Sequence, residues 1–160
     1  MVWIVWEIFT NRWLQRAERK QVFVDDGDRF ISLWIAFNGW MRGRFGEAIG
    51  DRNQIEAVKE IQDFKEVFNN LKTTDDKFRE CLEKLSALPI VNMQFRNNQE
   101  VIYVYDGTFE SLIELIYQVR CNLFHGRKDI TDDEKDIEAV SLAYQILLPL
   151  FKAYLSTYHS

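Results

Sequence analysis

The stretch RFISLWIAFNGWM, residues 29–41, carries apolar side chains on more than one face of a helix. Such a distribution is typical of a helix that is buried on several sides. The polar residues 25–28, DDGD, come directly before it and supply a turn and a helix N-cap. Gly39, Gly43 and Gly46 are expected to loosen its end, because glycine is a poor helix former. We therefore predict a central helix here, with the rest of the chain packed around it.

Amphipathic helices are predicted on both sides of this central segment. In residues 2–19 and again in residues 51–71, apolar side chains recur at spacings of three and four, while charged side chains take the other faces. A further helix is capped by Thr74 or Asp75 and has to stop before Pro89, because the residue before a proline avoids the α region. The first half of the chain is thus expected to be helical almost throughout.

The segment at residues 89–107 has a different pattern. Apolar and polar residues alternate in residues 91–95, and the run VIYVY at residues 101–105 has a high β propensity. Two conformations fit this pattern: a short hairpin that turns at Asn97-Asn98, or a long loop. This is the only part of the chain for which extended structure is expected.

Two more helices complete the predicted fold. Residues 106–108, DGT, open one of them, and the capping box TDDE at residues 131–134 opens the last, in which Pro149 is expected to introduce a kink. No internal repeat or low-complexity segment interrupts this plan. The sequence therefore predicts an all-α fold, a small up-and-down helical bundle of about five or six helices. It forms a single domain over residues 1–160.

The composition is that of a folded intracellular protein. Hydrophobic residues make up 47% of the chain, and only two prolines and seven glycines are present, which leaves little room for linkers. Cys81 and Cys121 lie in helix-like segments beside apolar residues, so we expect buried free thiols in a reducing compartment. These observations predict a cytoplasmic location.

Charge and residue spacing exclude several classes of function. A net charge of −5 argues against non-specific binding of nucleic acid, although it allows a local basic site. The opening run MVWIVWEIF is apolar only up to Glu7, which is too short to span a membrane, so no membrane partner is expected. The two histidines lie far apart, and the cysteines form no C-x-x-C pair, so we predict no metal site and no cofactor.

The segment RCNLFHG, residues 120–126, ends the helix that follows residue 108. On a helical projection Arg120 falls inside the apolar arc, whereas His125 falls on the polar side with Glu114 and Gln118, in the last turn. A buried guanidinium requires either a carboxylate or carbonyl partner, or an anionic ligand. Arg120 is thus a structural ion-pair partner or an anion-binding group, and His125 is a helix-terminal cap or a proton-transfer group.

These residues carry a resemblance to a known family. RCNLFHG, together with RFISLWIAFNGW upstream and the short helical plan, resembles the HEPN superfamily, and more closely its ApeA-like branch. That family is marked by an Arg, four to six residues and then a His on a late helix of a small bundle. The resemblance implies a HEPN-like fold and a metal-independent endoribonuclease, often a toxin or an antiviral effector, in which Arg120 and His125 are the catalytic residues.

The resemblance also implies partners. Sites in this family are usually assembled from two protomers, so a homodimer is expected, with RNA as substrate and a cognate antitoxin protein as a further partner. Asn122, Arg127 and Lys128 are candidates for RNA contacts, or else ordinary surface residues. Many members have Asn, Asp or His directly after the motif Arg, where this chain has Cys121.

The chemistry suits the residue types. RNA is cleaved without metal when its own 2′-hydroxyl attacks the adjacent phosphorus, which leaves a 2′,3′-cyclic phosphate. Histidine titrates near neutrality and can transfer the proton, while a guanidinium can stabilise the developing negative charge. The alternative is a non-catalytic helical module that dimerises or binds RNA or a protein.

Overall fold

The computed structural model describes residues 2–19, 25–91, 102–124 and 134–158. Within these ranges the chain forms seven α-helices and one pair of very short strands, so the predicted all-α fold is confirmed. In chain order the elements are α1 Val2–Glu18, α2 Asp26–Phe45, α3 Asp51–Lys59, α4 Gln62–Thr74, α5 Asp76–Ser86, β1 Ile90–Val91, β2 Ile102–Tyr103, α6 Phe109–Phe124 and α7 Glu134–Tyr158.

Helix α2 is the central element that the sequence predicts. The Asp25 side chain caps its first turn by accepting a hydrogen bond from the backbone N–H of Asp28 at 2.9 Å. Eight of its residues are buried, on more than one face. Of the three glycines expected to loosen its end, Gly39 and Gly43 lie within the helix, and only Gly46, with φ of 95°, lies past it. The helix is longer than predicted because Gly39 is held by packing.

Helix α1 lies very close to α2 at Gly39. A Cβ atom built on Gly39 would come within 2.5 Å of Cδ1 of Phe9, so the aromatic ring of Phe9 occupies the space of a side chain. One turn earlier along α2, the backbone carbonyl of Ala36 accepts a hydrogen bond from Thr10 Oγ1 at 3.4 Å. The missing side chain at Gly39 therefore allows the two helices to approach.

The sequence predicts one helix over residues 51–71, but the structure has two helices there. This split explains why the described residues form seven helices and not the five or six predicted. Helix α3 ends at Lys59, and Ile61 adopts an extended conformation with ψ of 105° before α4 starts. Neither glycine nor proline marks the break. Ile61 is only 9% exposed, and the break lets α3 pack on α2 and α6 while α4 packs on α5 and α7. Tertiary packing has overridden a continuous apolar stripe.

The start and the end of α5 lie where the sequence predicts them. Asp75 accepts a hydrogen bond from the backbone N–H of Phe78 at 3.0 Å, which opens α5, and α5 ends before Pro89 as predicted. The two described strands pair antiparallel, with Ile90 opposite Tyr103, so residues 89–107 do contain extended structure. The predicted turn at residues 97–98 and the capping box at residues 131–133 lie outside the described residues.

The core joins the aromatic faces of α2, α4, α6 and α7. Phe64 stacks on Tyr154 with ring centroids 4.3 Å apart, and both rings pack against Trp40. Helix α7 passes through Pro149 without interruption. The two cysteines, Cys81 and Cys121, are buried free thiols, as predicted.

One helix also has the length and composition of a membrane span. Residues Ile137–Tyr158 of α7 have a mean hydropathy of 1.3. Half of the most apolar stretch is buried inside the bundle, against α2, α4, α5 and α6. The core helix of a globular domain meets the same test of length and composition, and this packing accounts for the apolar content of α7.

Candidate functional site

The motif arginine lies on a well-anchored helix. Helix α6 opens with a hydrogen-bonded turn in which Asp106 Oδ1 accepts from the backbone N–H of Thr108 at 2.9 Å, and Thr108 Oγ1 accepts from the backbone N–H of Ser111 at 3.1 Å. Hydrogen bonds from Thr108 lower the pKa of the Asp106 carboxyl. Three turns further along α6, the side chain of Arg120 is only 23% exposed. The side chain of Arg120, which the helical projection places among apolar residues, is therefore partly buried in the structure.

Arg120 contacts one carboxylate and two aromatic rings. Its Nη2 donates a hydrogen bond to Oδ2 of Asp51, the first residue of α3, at 3.2 Å. Its guanidinium carbon lies 4.9 Å from the ring centroid of Phe124 and 5.9 Å from that of Trp34, which are cation–π distances. Both alternatives for Arg120 thus keep some support: it has an ion-pair partner, and it also faces a cleft.

The cleft lies between α1, α2 and the end of α6. Its volume is about 280 Å³. Aromatic and aliphatic side chains form most of its wall, two arginines are the only charged residues on it, and no acidic side chain lines it within the described residues. The lining residues are Trp6, Phe9, Trp34, Ile35, Asn38, Gly39, Arg42, Arg120 and Phe124.

Several residues that line the cleft have a buried nitrogen without an acceptor among the described residues. Four buried side-chain nitrogens lack a hydrogen-bond partner within the described residues. Three of the four, Trp6 Nε1, Trp34 Nε1 and Arg120 Nε, belong to residues that line this cleft. A buried donor without an acceptor costs about 1–3 kcal/mol, and more when it is charged. A ligand with acceptor atoms would relieve this cost only if these side chains turned their nitrogens toward it, because the nitrogens are buried in this structure.

A second guanidinium adds positive charge to the cleft. Arg42 is exposed, lines the cleft, and forms no ion pair with any carboxylate of the described residues. The positive charge of Arg120 is partly balanced by Asp51, whereas no carboxylate of the described residues pairs with Arg42. A cleft with positive charge and low-dielectric aromatic walls concentrates anions, even in a protein of net charge −5.

Helices α3 and α6 are tied together by ion pairs to Glu114. Arg52 Nη1 and Lys59 Nζ each donate to the Glu114 carboxylate at 2.6 Å, and the guanidinium of Arg52 lies 5.7 Å from the ring centroid of Tyr117. Burial opposes ionisation of Glu114, but the hydrogen bonds from Arg52 and Lys59 outweigh it, so the pKa of the Glu114 carboxyl is lowered. Burial and the neighbouring Cys121 raise the pKa of Tyr117 to about 12. This cluster fixes Asp51 relative to Arg120.

The polar side of α6 is therefore not a surface facing solvent. Glu114 has a side-chain exposure of 16%, and Gln118 is 5% exposed and donates from Nε2 to Oδ1 of Asn122 at 2.8 Å. The helical projection correctly places polar residues on this side, but it does not show that they are buried. Ion pairs and amide hydrogen bonds allow these polar groups to be buried. Asn122 is held within α6 and lies outside the cleft lining.

The sequence-predicted site residues have different outcomes. Arg120 lines the cleft, and Asn122 does not. His125, Arg127 and Lys128 lie outside the described residues, so their assignment stays a prediction.

In the described ranges no group of three or more His, Cys, Asp and Glu side chains could hold a metal ion.

Sequence reasoning missed three residues that line the cleft with Arg120. The sequence pattern treats Trp6 and Trp34 only as apolar residues of helices, and it does not single out Arg42. A signal was present, because Trp34, Asn38 and Arg42 follow at steps of four and so share one face of α2.

Comparisons of this chain with protein-family models, with curated proteins and with solved structures found no match.

Proposed function

We propose that this protein is a metal-independent endoribonuclease of the HEPN type, with the cleft beside Arg120 as the site that binds the scissile phosphate. The observation that carries the proposal is the environment of the Arg120 guanidinium. It is partly buried, lies at cation–π distances from the rings of Trp34 and Phe124, and shares its cleft with a second guanidinium, that of Arg42. Two guanidiniums in an aromatic cleft suit an anion with a ring attached, such as a nucleotide.

In this mechanism the two motif residues have separate roles. Arg120 neutralises the negative charge that develops on the phosphoryl oxygens as the 2′-hydroxyl attacks phosphorus. Arg has five N–H donors in a planar fork, so contact with Asp51 through Nη2 leaves other donors for a phosphate. His125, which directly follows the cleft residue Phe124 in the sequence, transfers the proton between the 2′-oxygen and the leaving 5′-oxygen.

The proposal includes a homodimer in which both clefts face one two-fold axis. Five residues on an ideal helix separate two side chains by about 140°, so Arg120 and His125 of one chain diverge. A two-fold axis beside the end of α6 brings each His toward the opposite Arg. A cytoplasmic toxin or antiviral effector, held in check by an antitoxin protein, is the biological setting that the resemblance implies.

A second function has its own support. Arg120 already has a carboxylate partner in Asp51, and α1 exposes Ile4, Val5 and Ile8, which are 58%, 64% and 52% exposed. A structural arginine and an exposed apolar helix face suit a non-catalytic module that dimerises or binds RNA or a protein.

A cleavage assay in EDTA separates the two functions. The parent protein should cut single-stranded RNA to products that end in 2′,3′-cyclic phosphate, and it should leave DNA of the same sequence intact, because DNA lacks the attacking hydroxyl. Arg120→Ala and His125→Ala should each abolish cleavage. Arg44→Ala, which removes an exposed arginine of α2 that does not line the cleft, is the matched control and should cut normally. Equal cleavage by parent and Arg120→Ala would reject the mechanism.

A further inference from the structure

The cleft has more side chains that can bind a ligand than the proposed binding of the scissile phosphate requires. Catalysis as proposed uses the guanidinium of Arg120 and the imidazole of His125. It gives no role to Trp6 and Phe9 on α1, to Arg42 on α2, or to the two indole N–H groups that have no acceptor in the described part of the chain. These groups lie on the side of the cleft formed by α1 and α2.

We infer that this side of the cleft is a subsite for one unstacked nucleotide of single-stranded RNA, next to the scissile phosphate. In this subsite the base contacts the aromatic wall of Trp6, Phe9 and Trp34, and Arg42 contacts the neighbouring phosphate. The inference rests on the proposed function for the identity of the anion, but its residues take no part in the proposed catalytic step.

The size and lining of the cleft fit a single nucleotide. Ligand pockets usually enclose about 300–1,000 Å³ and combine apolar walls with a few polar groups. The volume here, about 280 Å³, lies just below that range, which suits one nucleotide of a chain whose backbone continues outside. Base pairs in a duplex keep their bases stacked inside the helix, so only a single strand can insert one.

The polar atoms also match a nucleotide better than an apolar ligand. The Nε1 atoms of Trp6 and Trp34 are buried, and Trp34 as a whole is only 3% exposed. A base or a phosphate offers oxygen and nitrogen acceptors for these donors once the indoles turn toward the cleft, whereas an apolar ligand offers none. The unpartnered indoles and the Arg42 guanidinium therefore favour the same class of ligand.

The close packing of α1 against α2 at Gly39 shapes the cleft. Phe9 occupies the space of a side chain on Gly39, and both residues line the cleft. The close approach at this point brings Trp6 and Phe9 opposite Trp34 and Arg42. Gly39 thus sets the width of the subsite.

The test measures binding separately from cleavage. The probe is a fluorescein-labelled 12-nucleotide RNA with 2′-O-methyl groups throughout, which cannot be cut by its own 2′-oxygen, used single-stranded and annealed to its complement. Fluorescence anisotropy gives the Kd of each. We expect the single strand to bind at least about tenfold more tightly than the duplex, since only it offers a base for stacking.

Matched pairs of variants locate the subsite. Trp6→Ala should weaken binding of the single strand by roughly 5- to 150-fold, the range for loss of one stacked base. Trp13→Ala, on the same helix but outside the cleft lining, should change it less than about twofold. Arg42→Ala should weaken binding and reduce its salt dependence, whereas Arg44→Ala should do neither. Circular dichroism melts confirm that each variant is folded, and Arg42→Ala, at an exposed position, keeps the test valid if Trp6→Ala unfolds.

Each outcome decides between the subsite and the ribonuclease. Equal binding of duplex and single strand, equal losses in the control variants, or no binding by the parent overturns the subsite. Selective binding by a protein that does not cut unmodified RNA supports the subsite and rejects the catalytic proposal. Cleavage that Trp6→Ala and Arg42→Ala leave unchanged supports the ribonuclease and rejects the subsite.

Discussion

Arg120 on α6 donates a hydrogen bond from Nη2 to Oδ2 of Asp51, the first residue of α3, across 69 positions of sequence. The pair is partly open to solvent, with side-chain exposures of 23% and 36%. Partly exposed ion pairs contribute little to stability, about 0–1 kcal/mol. The pair therefore holds the guanidinium in place more than it stabilises the fold, and Asp51 competes with any anion in the cleft.

Asp51→Asn should consequently tighten the binding of RNA. Removing one negative charge beside Arg120 should lower Kd for the 2′-O-methyl probe by about 2- to 10-fold at low salt, with a smaller effect at high salt. The free energy of unfolding should fall by less than about 1 kcal/mol. Anisotropy titrations at two salt concentrations and urea unfolding give the two values.

Asp76→Asn is the matched control for this prediction. Asp76 is also the first residue of a helix, α5, and forms an ion pair, but its partner Arg79 is not a residue of the cleft. It should leave RNA binding unchanged. If Asp51→Asn destabilises the protein strongly and leaves binding unaltered, Arg120 is a structural residue.

The local signals in the sequence predict much of the fold. Asp25 and Asp75 cap the helices at which their side chains were expected, and Pro89 lies just beyond the end of α5. These features depend on a few neighbouring residues, so sequence alone is sufficient. The break at Ile61 was not predictable in this way, because Val58, Ile61 and Phe64 continue the helical spacing and only packing in three dimensions separates α3 from α4.

The site was predicted only in part for the same reason. Arg120 stood out because a charged residue on an apolar arc needs a partner. Its actual partner, Asp51, lies on another helix, and the cleft needs Trp6, Trp34 and Arg42 from two further elements. A tryptophan in an apolar stripe indicates burial, but the sequence does not show whether its N–H finds an acceptor.

Mixing two inactive variants tests whether the active site combines residues from two subunits. Mass in solution should first show a dimer. Arg120→Ala supplies only His125 and His125→Ala supplies only Arg120, so a mixed dimer has one intact pair. With random exchange of subunits, half of the dimers are mixed and each has one of two sites, so about a quarter of the parent activity should return.

The control is a mixture of His125→Ala with the double variant Arg120→Ala/His125→Ala. This mixture contains no His125 and should stay inactive. A monomer that cuts RNA would exclude the composite site, and a mixture of the single variants that remains inactive while heterodimers are demonstrated would exclude a site in which each subunit supplies one essential residue.

Gly39→Ala should destabilise the protein and weaken RNA binding together. The added Cβ would lie 2.5 Å from Cδ1 of Phe9, so the ring has to move. Overpacking of this kind costs about 1–3 kcal/mol, whereas alanine gains up to about 1 kcal/mol in helix propensity.

Combining Gly39→Ala with Phe9→Leu should cost less than the sum of the single changes in urea unfolding, because the smaller side chain relieves the clash. Gly50→Ala, where no atom lies within 4 Å of the added Cβ, is the control and should cost less than about 1 kcal/mol.

Glu114→Gln should reduce stability at neutral pH and lose this effect in acid. Glu114 binds Arg52 and Lys59, and Lys59 is only 13% exposed, so the variant leaves a shielded ammonium without its full partner. We expect a loss of about 1–3 kcal/mol at pH 7 in urea unfolding. The pKa of Glu114 is lowered in the folded protein, so its contribution is complete above the ordinary value of 4.5 and disappears as the pH falls through the folded-state pKa. The difference between parent and variant should therefore shrink below about pH 4.5.

Glu110→Gln, one helical turn earlier on α6, is the matched control for Glu114→Gln. Glu110 pairs with Lys65 at 2.6 Å, but both side chains are more exposed, at 44% and 26%, so its removal should cost clearly less. Because Glu114 holds α3 against α6 and Asp51 competes with anions for Arg120, Glu114→Gln should also loosen Asp51 and slightly tighten RNA binding, whereas Glu110→Gln should leave RNA binding unchanged. A stability difference for Glu114→Gln that stays constant from pH 7 to pH 3 would show that the carboxylate charge does not hold these helices together.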